Sequence, residues 1–289
     1  MVAPNQKVKI NLNAFEETML IPLWARGIEQ KQTSPIIRDE NAAEIIDTLD
    51  YDFSIIENNK TLMDYLNVRL VTRGKILDDY VRDFMTDYPR GTVVELGCGL
   101  STRFNRVDNG EVNWYCLDLP QGMALREKLI PAENRCEYIV DSMLESNWIQ
   151  RVVREEGPCM LIVEGVLPYF ERKDVRRFFD LISRYFGGGR IAFDTQTELY
   201  RRLLKPGKMI HANQGQSGLE FHWVIKDIDE IEIMDERLAL RESRTLPESG
   251  ASIMRRLAWK IRLLETMSVP FWGRYRVSVF DIAENDIKL

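Results

Sequence analysis

The stretch Val93-Val94-Glu95-Leu96-Gly97-Cys98-Gly99-Leu100-Ser101 sets two branched apolar residues before an acid and then two glycines around a turn. Branched residues favour a buried strand, and glycine lets the backbone turn tightly and approach a ligand. Farther on, Trp114-Tyr115-Cys116-Leu117-Asp118 reads as a second buried strand ending in another acid, followed at once by Leu119-Pro120. A strand, a glycine turn and an acid closing the next strand suit a nucleoside-bearing ligand at the carboxyl ends of a parallel sheet. The acid accepts hydrogen bonds from ribose hydroxyls.

Which nucleoside follows from the turn itself. A dinucleotide fold wants a third glycine and packs a pyrophosphate on the helix N-terminus. Ser101 stands near that third place, and Glu95 projects a carboxylate into the site. A carboxylate there repels a pyrophosphate but tolerates a sulfonium. The expected cofactor is S-adenosylmethionine, with S-adenosylhomocysteine as its product.

From residue 92 the texture alternates. Strands are expected at 92–96, 113–117, 136–140, 159–164 and 190–194. Helices are expected from near Ser101, at 120–129, near 148–155 and at 171–186, where Val175, Phe178, Phe179, Ile182 and Phe186 recur at helical spacing. Gly187-Gly188-Gly189 stops the last of them. Such alternation makes a parallel sheet with right-handed crossovers. Residues 275–282 alternate polar and apolar and suit an antiparallel closing strand. The predicted fold class is α/β, Rossmann-like, with a mostly parallel seven-stranded sheet and helices on both faces.

The flanks are read more coarsely. Residues 15–30, 40–49 and 62–87 carry helical patterns; Pro22 is expected to kink or restart the first, Asp39 to cap the second, and Gly74 interrupts the third. Residues 1–90 are expected to form an N-terminal helical cap, and 91–289 a cofactor-binding core with C-terminal substrate-pocket insertions, in one structural unit. In the last third, 199–204 looks helical, 220–224 like a short strand or part of a lid, and 230–242 and 254–265 like helical or strand–helix pieces.

Bulk properties narrow the partners. A chain of 289 residues with 45% hydrophobic and 29% charged residues has the composition of a soluble globular protein. A net charge of -6 argues against nucleic acid, and no apolar run reaches the roughly 20 residues that span a bilayer. The polar N-terminus lacks an apolar signal core, so the expected location is cytoplasmic. The expected partner is a small-molecule acceptor, and the protein a monomer or homodimer. Cys98, Cys116, Cys136 and Cys159 form no C-x-x-C pair, and the two histidines are His211 and His222, so no metal site is expected and the cysteines are expected to be buried thiols.

Several side chains carry two readings. Asp118 serves the ribose or starts a helix; Asp141-Ser142 meets the adenine edge or caps the next helix. Trp148 stacks on ligand or packs in the core. Glu164-Gly165 ends the fourth strand, where the crevice opens, and its acid faces the sulfonium, the cofactor amine or the substrate. Arg73 and Lys75, and likewise Arg103 and Arg106, match a cofactor carboxylate or are solvated helix charges. Tyr169 and His222 are the candidate catalytic residues, as hydroxyl donor and base, with packing and surface polarity as the alternatives; His211 is a second candidate for the acceptor pocket. Methyl transfer from a sulfonium needs chiefly alignment and exclusion of water; an acceptor carboxylate needs no base, whereas a hydroxyl does.

The runs VVELGCGLSTRFNRV (93–107), LDLP (117–120) and LIVEGVLPYF (161–170) resemble the leucine carboxyl methyltransferase family. ETMLIPLWARGIEQ (17–30), RDENAAEIIDTLDYDF (38–53) and VTRGKILDDYV (71–81) are similar to its bacterial branch of tetracenomycin-type polyketide carboxyl O-methyltransferases. The resemblance covers most of 14–195 and is thin beyond 200. It implies that Arg73 holds the cofactor carboxylate and that Glu95, Gly97 and Gly99 frame methionine and ribose. Asp118 with Leu119 takes the ribose, Asp141 and Ser142 the adenine, and Glu164 with Gly165 the amine region; Tyr169 matches the tyrosine following the acid. Two positions depart from the family pattern: Ser101 stands for a common aspartate and Gly74 for a frequent threonine. The implied activity is O-methylation of a carboxylate or hydroxyl in a natural product of polyketide or peptide–polyketide type. The alternatives are an NAD(P)-dependent oxidoreductase and a non-catalytic S-adenosylmethionine-binding partner protein.

Overall fold

The computed structural model describes residues 7–10, 12, 14–54, 60–155, 157–198, 201, 220–267 and 275–284. At the N-terminal side, β1 (Val8–Lys9) and β2 (Leu49–Asp50) pair in parallel around α1 (Ala14–Gln30) and α2 (Glu40–Thr48). Asp39 caps α2 through its carboxylate, which accepts from the Ala42 amide at 3.0 Å. The long helix α3 (Lys60–Asp87) then crosses behind the sheet and runs through Gly74 without a break.

Alternating units follow. β3 (Thr92–Leu96) leads through a glycine turn to α4 (Arg103–Val107), β4 (Asn113–Asp118) to α5 (Pro120–Leu129), and β5 (Cys136–Val140) to α6 (Ile149–Val152). β6 (Cys159–Val163) precedes α7 (Arg172–Tyr185) and β7 (Arg190–Thr195). The chain ends with α8 (Glu230–Met234), β8 (Leu238–Arg244), α9 (Ala251–Arg255), α10 (Trp259–Met267) and β9 (Arg276–Ile282). The sheet has seven strands in the order β5-β4-β3-β6-β7-β9-β8. β3 to β7 are parallel; β9 pairs antiparallel with β7 and β8. The chain builds outward from β3 to β5, returns, and builds the other way from β6, so the order reverses between β3 and β6. In open α/β sheets a ligand crevice forms at that reversal, beyond the strands' carboxyl ends.

Both faces of the sheet are covered. On one, Val71, Leu77, Tyr80 and Phe84 of α3 pack on Val93, Trp114 and Met160. On the other, Phe178, Phe179 and Ile182 of α7 pack on Val94, Leu161 and Phe193. Every residue of β3, β6 and β7 is buried, as strands covered on both faces require. Trp148 belongs to this core: its ring stacks on Phe186 at 5.5 Å and does not reach the crevice. All four cysteines are buried free thiols.

Three local expectations change. Pro22 does not restart α1, which continues through it. Proline removes one helical hydrogen bond, but Leu20, Leu23, Trp24 and Ala25 are buried on both sides of it and hold the turn in place. Residues 220–225 form no strand; they are anchored instead by the His222 and Trp223 amides, which donate to the Pro168 carbonyl at 2.8 and 3.1 Å. The segment 230–242 divides into α8 and the edge strand β8. The helical reading of 199–204 falls mostly outside the described residues.

Candidate functional site

A cavity of about 430 Å³ opens at the reversal point of the sheet. Its floor is the turn from Leu96 to Ser101, Leu117 to Leu119 after β4, Asp141 to Met143 after β5, and Glu164 to Val166 after β6. Its wall is built by Thr18, Met19, Ile21, Pro22 and Arg26 of α1 and by Leu66, Arg69, Leu70 and Arg73 of α3. Tyr169, Phe170, Gln196 and Phe221 complete it.

The glycine turn has the conformation its sequence demands. Gly97 and Gly99 sit at φ +66° and +47°, where side chains are strained, and a Cβ on Gly97 would meet Val166 Cγ2 at 2.6 Å. The Gly97 and Cys98 amides donate to the Leu117 carbonyl at 2.8 and 3.0 Å, tying the turn to the end of β4. Arg126 of α5 donates through Nη1 to the carbonyls of Gly99 and Ser101 at 3.0 and 2.7 Å. It is a clamp that nothing in the sequence pattern announces.

Asp118 lies across this turn. Its Oδ2 accepts from the Gly99 amide at 2.6 Å and its Oδ1 from the Leu119 amide at 2.7 Å. Burial raises its pKa, and those two amide bonds pull the other way. Gly122 leaves room for it: a Cβ there would sit 2.7 Å from Asp118 Oδ1. The helix-start reading of Asp118 is displaced by one residue, since Leu119 occupies the cap position of α5. Leu119 itself is 47% exposed, an apolar side chain on the cavity rim. Asp141 Oδ1 accepts from the Ser142 amide at 2.7 Å, and Ser142 Oγ from the Leu144 amide at 3.2 Å, so both side chains bond locally as well as line the cavity.

The opposite wall is charged and buried. Arg73 Nε donates to Glu164 Oε1 at 2.9 Å and Arg73 Nη1 to Asp194 Oδ2 at 3.3 Å. Gly165, at φ +69°, brings the backbone so close that a Cβ would meet Arg73 Nη1 at 2.8 Å. Burial pushes the Glu164 carboxyl up, but Arg73 and Arg103 outweigh it and hold the group well below the ordinary range. Glu95 is raised by burial against the attraction of Arg103; it also accepts from Ser101 Oγ at 2.9 Å. Burial pushes the Tyr169 phenol up to about 12.

Four guanidiniums and five carboxylates form one continuous chain of ion pairs: Arg26–Asp39–Arg106–Asp78–Arg103–Glu164–Arg73–Asp194, with Glu95 joined at Arg103. The solvated reading of Arg103 and Arg106 is thereby overturned: Arg103 is buried and Arg106 half-buried with its side chain 7% exposed, both paired in this network and outside the cavity lining. Lys75 takes the solvated reading; it pairs with Asp79 at 2.8 Å and does not line the cavity. His222 is corrected as a candidate base. Its imidazole is exposed, 3.7 Å from Glu171, and does not line the cavity although Phe221 beside it does. His211 lies outside the described residues. Arg26, Arg69, Asp194 and Gln196 were not singled out by the sequence; polar residues inside a helix, as Arg26 and Arg69 are, carry no pattern of their own. Asp194 lies one residue before the end of β7 as Glu164 follows β6, and that parallel was the one available signal.

The donor set fits a nucleoside bearing an amino-acid tail and a positive sulfur. A carboxylate with two oxygens at a glycine turn matches a ribose diol, a guanidinium matches an α-carboxylate, and buried acids match an ammonium. The ion-pair chain holds one more carboxylate than guanidinium, a surplus negative charge that suits a cationic ligand.

A doubly wound sheet with this site defines a Rossmann-like class I methyltransferase. Residues 19–183, more than half of the chain, match the model of the leucine carboxyl methyltransferase family, and the chain belongs to that family. It is an S-adenosylmethionine-dependent O-methyltransferase. It is 28% identical over 242 residues to the tetracenomycin polyketide synthesis O-methyltransferase TcmP of Streptomyces glaucescens, covering 83% of this chain and 86% of that one. It is 26% identical over 251 residues to the S-adenosyl-L-methionine-dependent methyltransferase dpfgK of Gibberella zeae, covering 82% and 84%. Among solved structures, an O-methyltransferase family protein from Burkholderia thailandensis superposes with a TM-score of 0.45 at 14% identity, covering 92% of this chain and 72% of that one. No helix among the described residues is long and apolar enough to cross a membrane.

Proposed function

We propose that the protein esterifies the carboxylate of a small natural-product acid, of the polyketide kind named for its Streptomyces glaucescens relative. S-adenosylmethionine, when bound, supplies an electrophilic methyl group on a positively charged sulfur. Asp118 holds the ribose hydroxyls, with Leu119 against the nucleoside. Asp141 and Ser142 serve the adenine edge, Arg73 the α-carboxylate, and Glu164 with Glu95 the ammonium side; Gly97, Gly99 and Gly165 let the backbone close around it. The N-terminal helices act as the cap that excludes water from the site.

The observation that carries the choice of acceptor is that no untied base stands among the described cavity residues. Among the described cavity residues there is no histidine, and the Tyr169 phenol is pushed up to about 12, too weak an acid to stand ionised at neutral pH. Glu95 and Glu164 are tied to Arg103, and Asp118 to two backbone amides. A hydroxyl acceptor would need one of these groups as base; a carboxylate is already ionised and needs only placement. Arg69, one helical turn before Arg73, lines the same cavity. Its Nη2 donates to Gln196 Oε1 at 2.6 Å and its guanidinium lies 3.7 Å from the centre of the Tyr275 ring. Those contacts fix its plane, and a planar fork matches a carboxylate. Tyr169 donates a hydrogen bond to the bound acceptor or lines its apolar side beside Phe221, 5.3 Å away.

The test is incubation with S-adenosylmethionine and a panel of aromatic polyketide acids and their hydroxyl analogues, read by intact mass for a single methyl gain. Mild alkali should reverse the product, as it reverses a methyl ester. A product that survives alkali, made from the hydroxyl compounds alone, would overturn the carboxylate reading.

A further inference from the structure

We propose that Arg103 is the positioning residue of the cofactor site: it fixes Glu95 and Glu164 in place and in charge without itself touching the ligand cavity. Three of its nitrogens serve three carboxylates from different parts of the chain. Nε donates to Asp78 Oδ1 at 2.7 Å, Nη1 to Glu95 Oε1, and Nη2 to Glu164 Oε2 at 2.6 Å. Asp78 belongs to α3, Glu95 to β3, Glu164 follows β6, and Arg103 itself opens α4 directly after the glycine turn. Its side chain is 1% exposed and is absent from the cavity lining, whereas Glu95 and Glu164 are both on it.

The geometry separates Arg103 from its neighbours. Arg73 also pairs with Glu164, but it faces the cavity and is committed to the ligand. Arg106 shares Asp78 with Arg103 and then turns away to Asp39 and Thr102, touching neither cavity carboxylate. Among the described residues, Arg103 is thus the one side chain that ties the N-terminal helices to both Glu95 and Glu164. A guanidinium can bridge three acids in a fixed fork, which a lysine ammonium on a flexible stem cannot reproduce.

The charges facing each acid are few. Glu164 meets Arg73 and Arg103 directly and Arg26 at longer range. Glu95 meets Arg103 and Ser101 directly, Cys116 Sγ at 3.9 Å and Arg126 at longer range. Among the described residues, removing Arg103 takes one of two direct cations from Glu164 and the one direct cation from Glu95. A close opposite charge lowers a carboxylate pKa by about 1–3 units, so its loss raises both by that order. Glu95, already raised by burial, then protonates nearer neutrality and no longer attracts an ammonium, whereas Glu164 keeps Arg73 and its charge but loses the donor that fixes its second oxygen.

The inference rests on Glu95 and Glu164 meeting the cofactor amine, and the experiment separates it from that reading. Affinity for S-adenosylhomocysteine, which keeps the amine and needs no acceptor, is measured by calorimetry from about pH 5 to about pH 9. The wild type should bind almost evenly across that range. Arg103→Met should bind about tenfold or more weakly at neutral pH, with affinity falling further toward acid along a limb displaced upward by about 1–3 units. Arg103→Lys should recover part of the affinity and most of the pH profile. Arg106→Met, which removes an equal charge from the same network, should lower the unfolding temperature and leave the profile unchanged. Should Arg103→Met fail to fold, Arg103→Lys decides: wild-type affinity and profile in that variant overturn the proposal. So does an Arg106→Met profile shifted as far as that of Arg103→Met. Glu164→Gln with undiminished affinity would instead remove the role given to Glu164, whatever Arg103 does.

Discussion

Asp118 illustrates how a single side chain takes on both roles that its position allows. Its two oxygens accept the amides of Gly99 and Leu119, so it closes the turn and presents a fixed carboxylate to the cavity at once. Asp118→Ala should weaken S-adenosylhomocysteine binding by about 1–3 kcal/mol in calorimetry, through lost hydrogen bonds to a charged group. Unchanged affinity would count against a ribose role. His222 makes the opposite case. As an exposed ring beside Glu171, it should be replaceable by alanine with no more than about 0.5 kcal/mol change in stability and with turnover retained in the methyl-gain assay. At this scale the acids at strand ends were legible because their chemistry and their place in the strand–turn pattern coincide. Arg73, Arg103 and Arg106 were candidates, but their partners were not legible. Their partners lie up to 121 residues away, as for Arg73 and Asp194, and no spacing encodes that.

Elements were read best where burial on both sides forces a simple pattern. β3, β4 and β6 match their expected spans within a residue at either end, since a fully covered strand must be apolar along its length. β8 escaped because only Leu238 in it is buried and a bulge between Leu240 and Glu242 breaks its register, so its side chains do not alternate. The packing of α5 against β4 carries a prediction of its own. Gly122 faces Asp118 so closely that an added Cβ would fall 2.7 Å from Oδ1. Gly122→Ala should displace that carboxylate and weaken cofactor binding in calorimetry while thermal unfolding changes little, because alanine suits a helix interior. Gly97→Ala should do more damage. The residue needs φ +66° and has Val166 in the way, so a loss of about 1–3 kcal/mol in unfolding free energy is expected by denaturant titration.

For the whole molecule, the buried ion-pair chain is the feature that couples stability to pH. Glu164 has a folded pKa below its unfolded value, so it contributes stability above the ordinary value of 4.5 that is lost as the pH falls below it. Asp39, lowered by Arg106 and Arg26 against its burial, acts in the same direction. Glu95 and Asp118, raised by burial, act oppositely: their contribution is full at low pH and is lost as they ionise. The unfolding temperature of the wild type should therefore drop on acidification below about 4.5. Glu164→Gln should start lower at neutral pH, with Arg73 and Arg103 left short of a partner, and fall less steeply; parallel curves would deny Glu164 this role. The sequence by itself determined the wound sheet, its glycine turn and the acids that follow its strands, because strand burial, glycine φ and strand-end position are written in neighbouring residues. Only the tertiary structure decided which arginine meets which acid, that His222 stays outside and that Arg69 joins Arg73 on the cavity wall. Those outcomes depend on helices and strands far apart in the chain being brought within a few ångströms, and in a buried network each charge takes its state from partners that local sequence does not name.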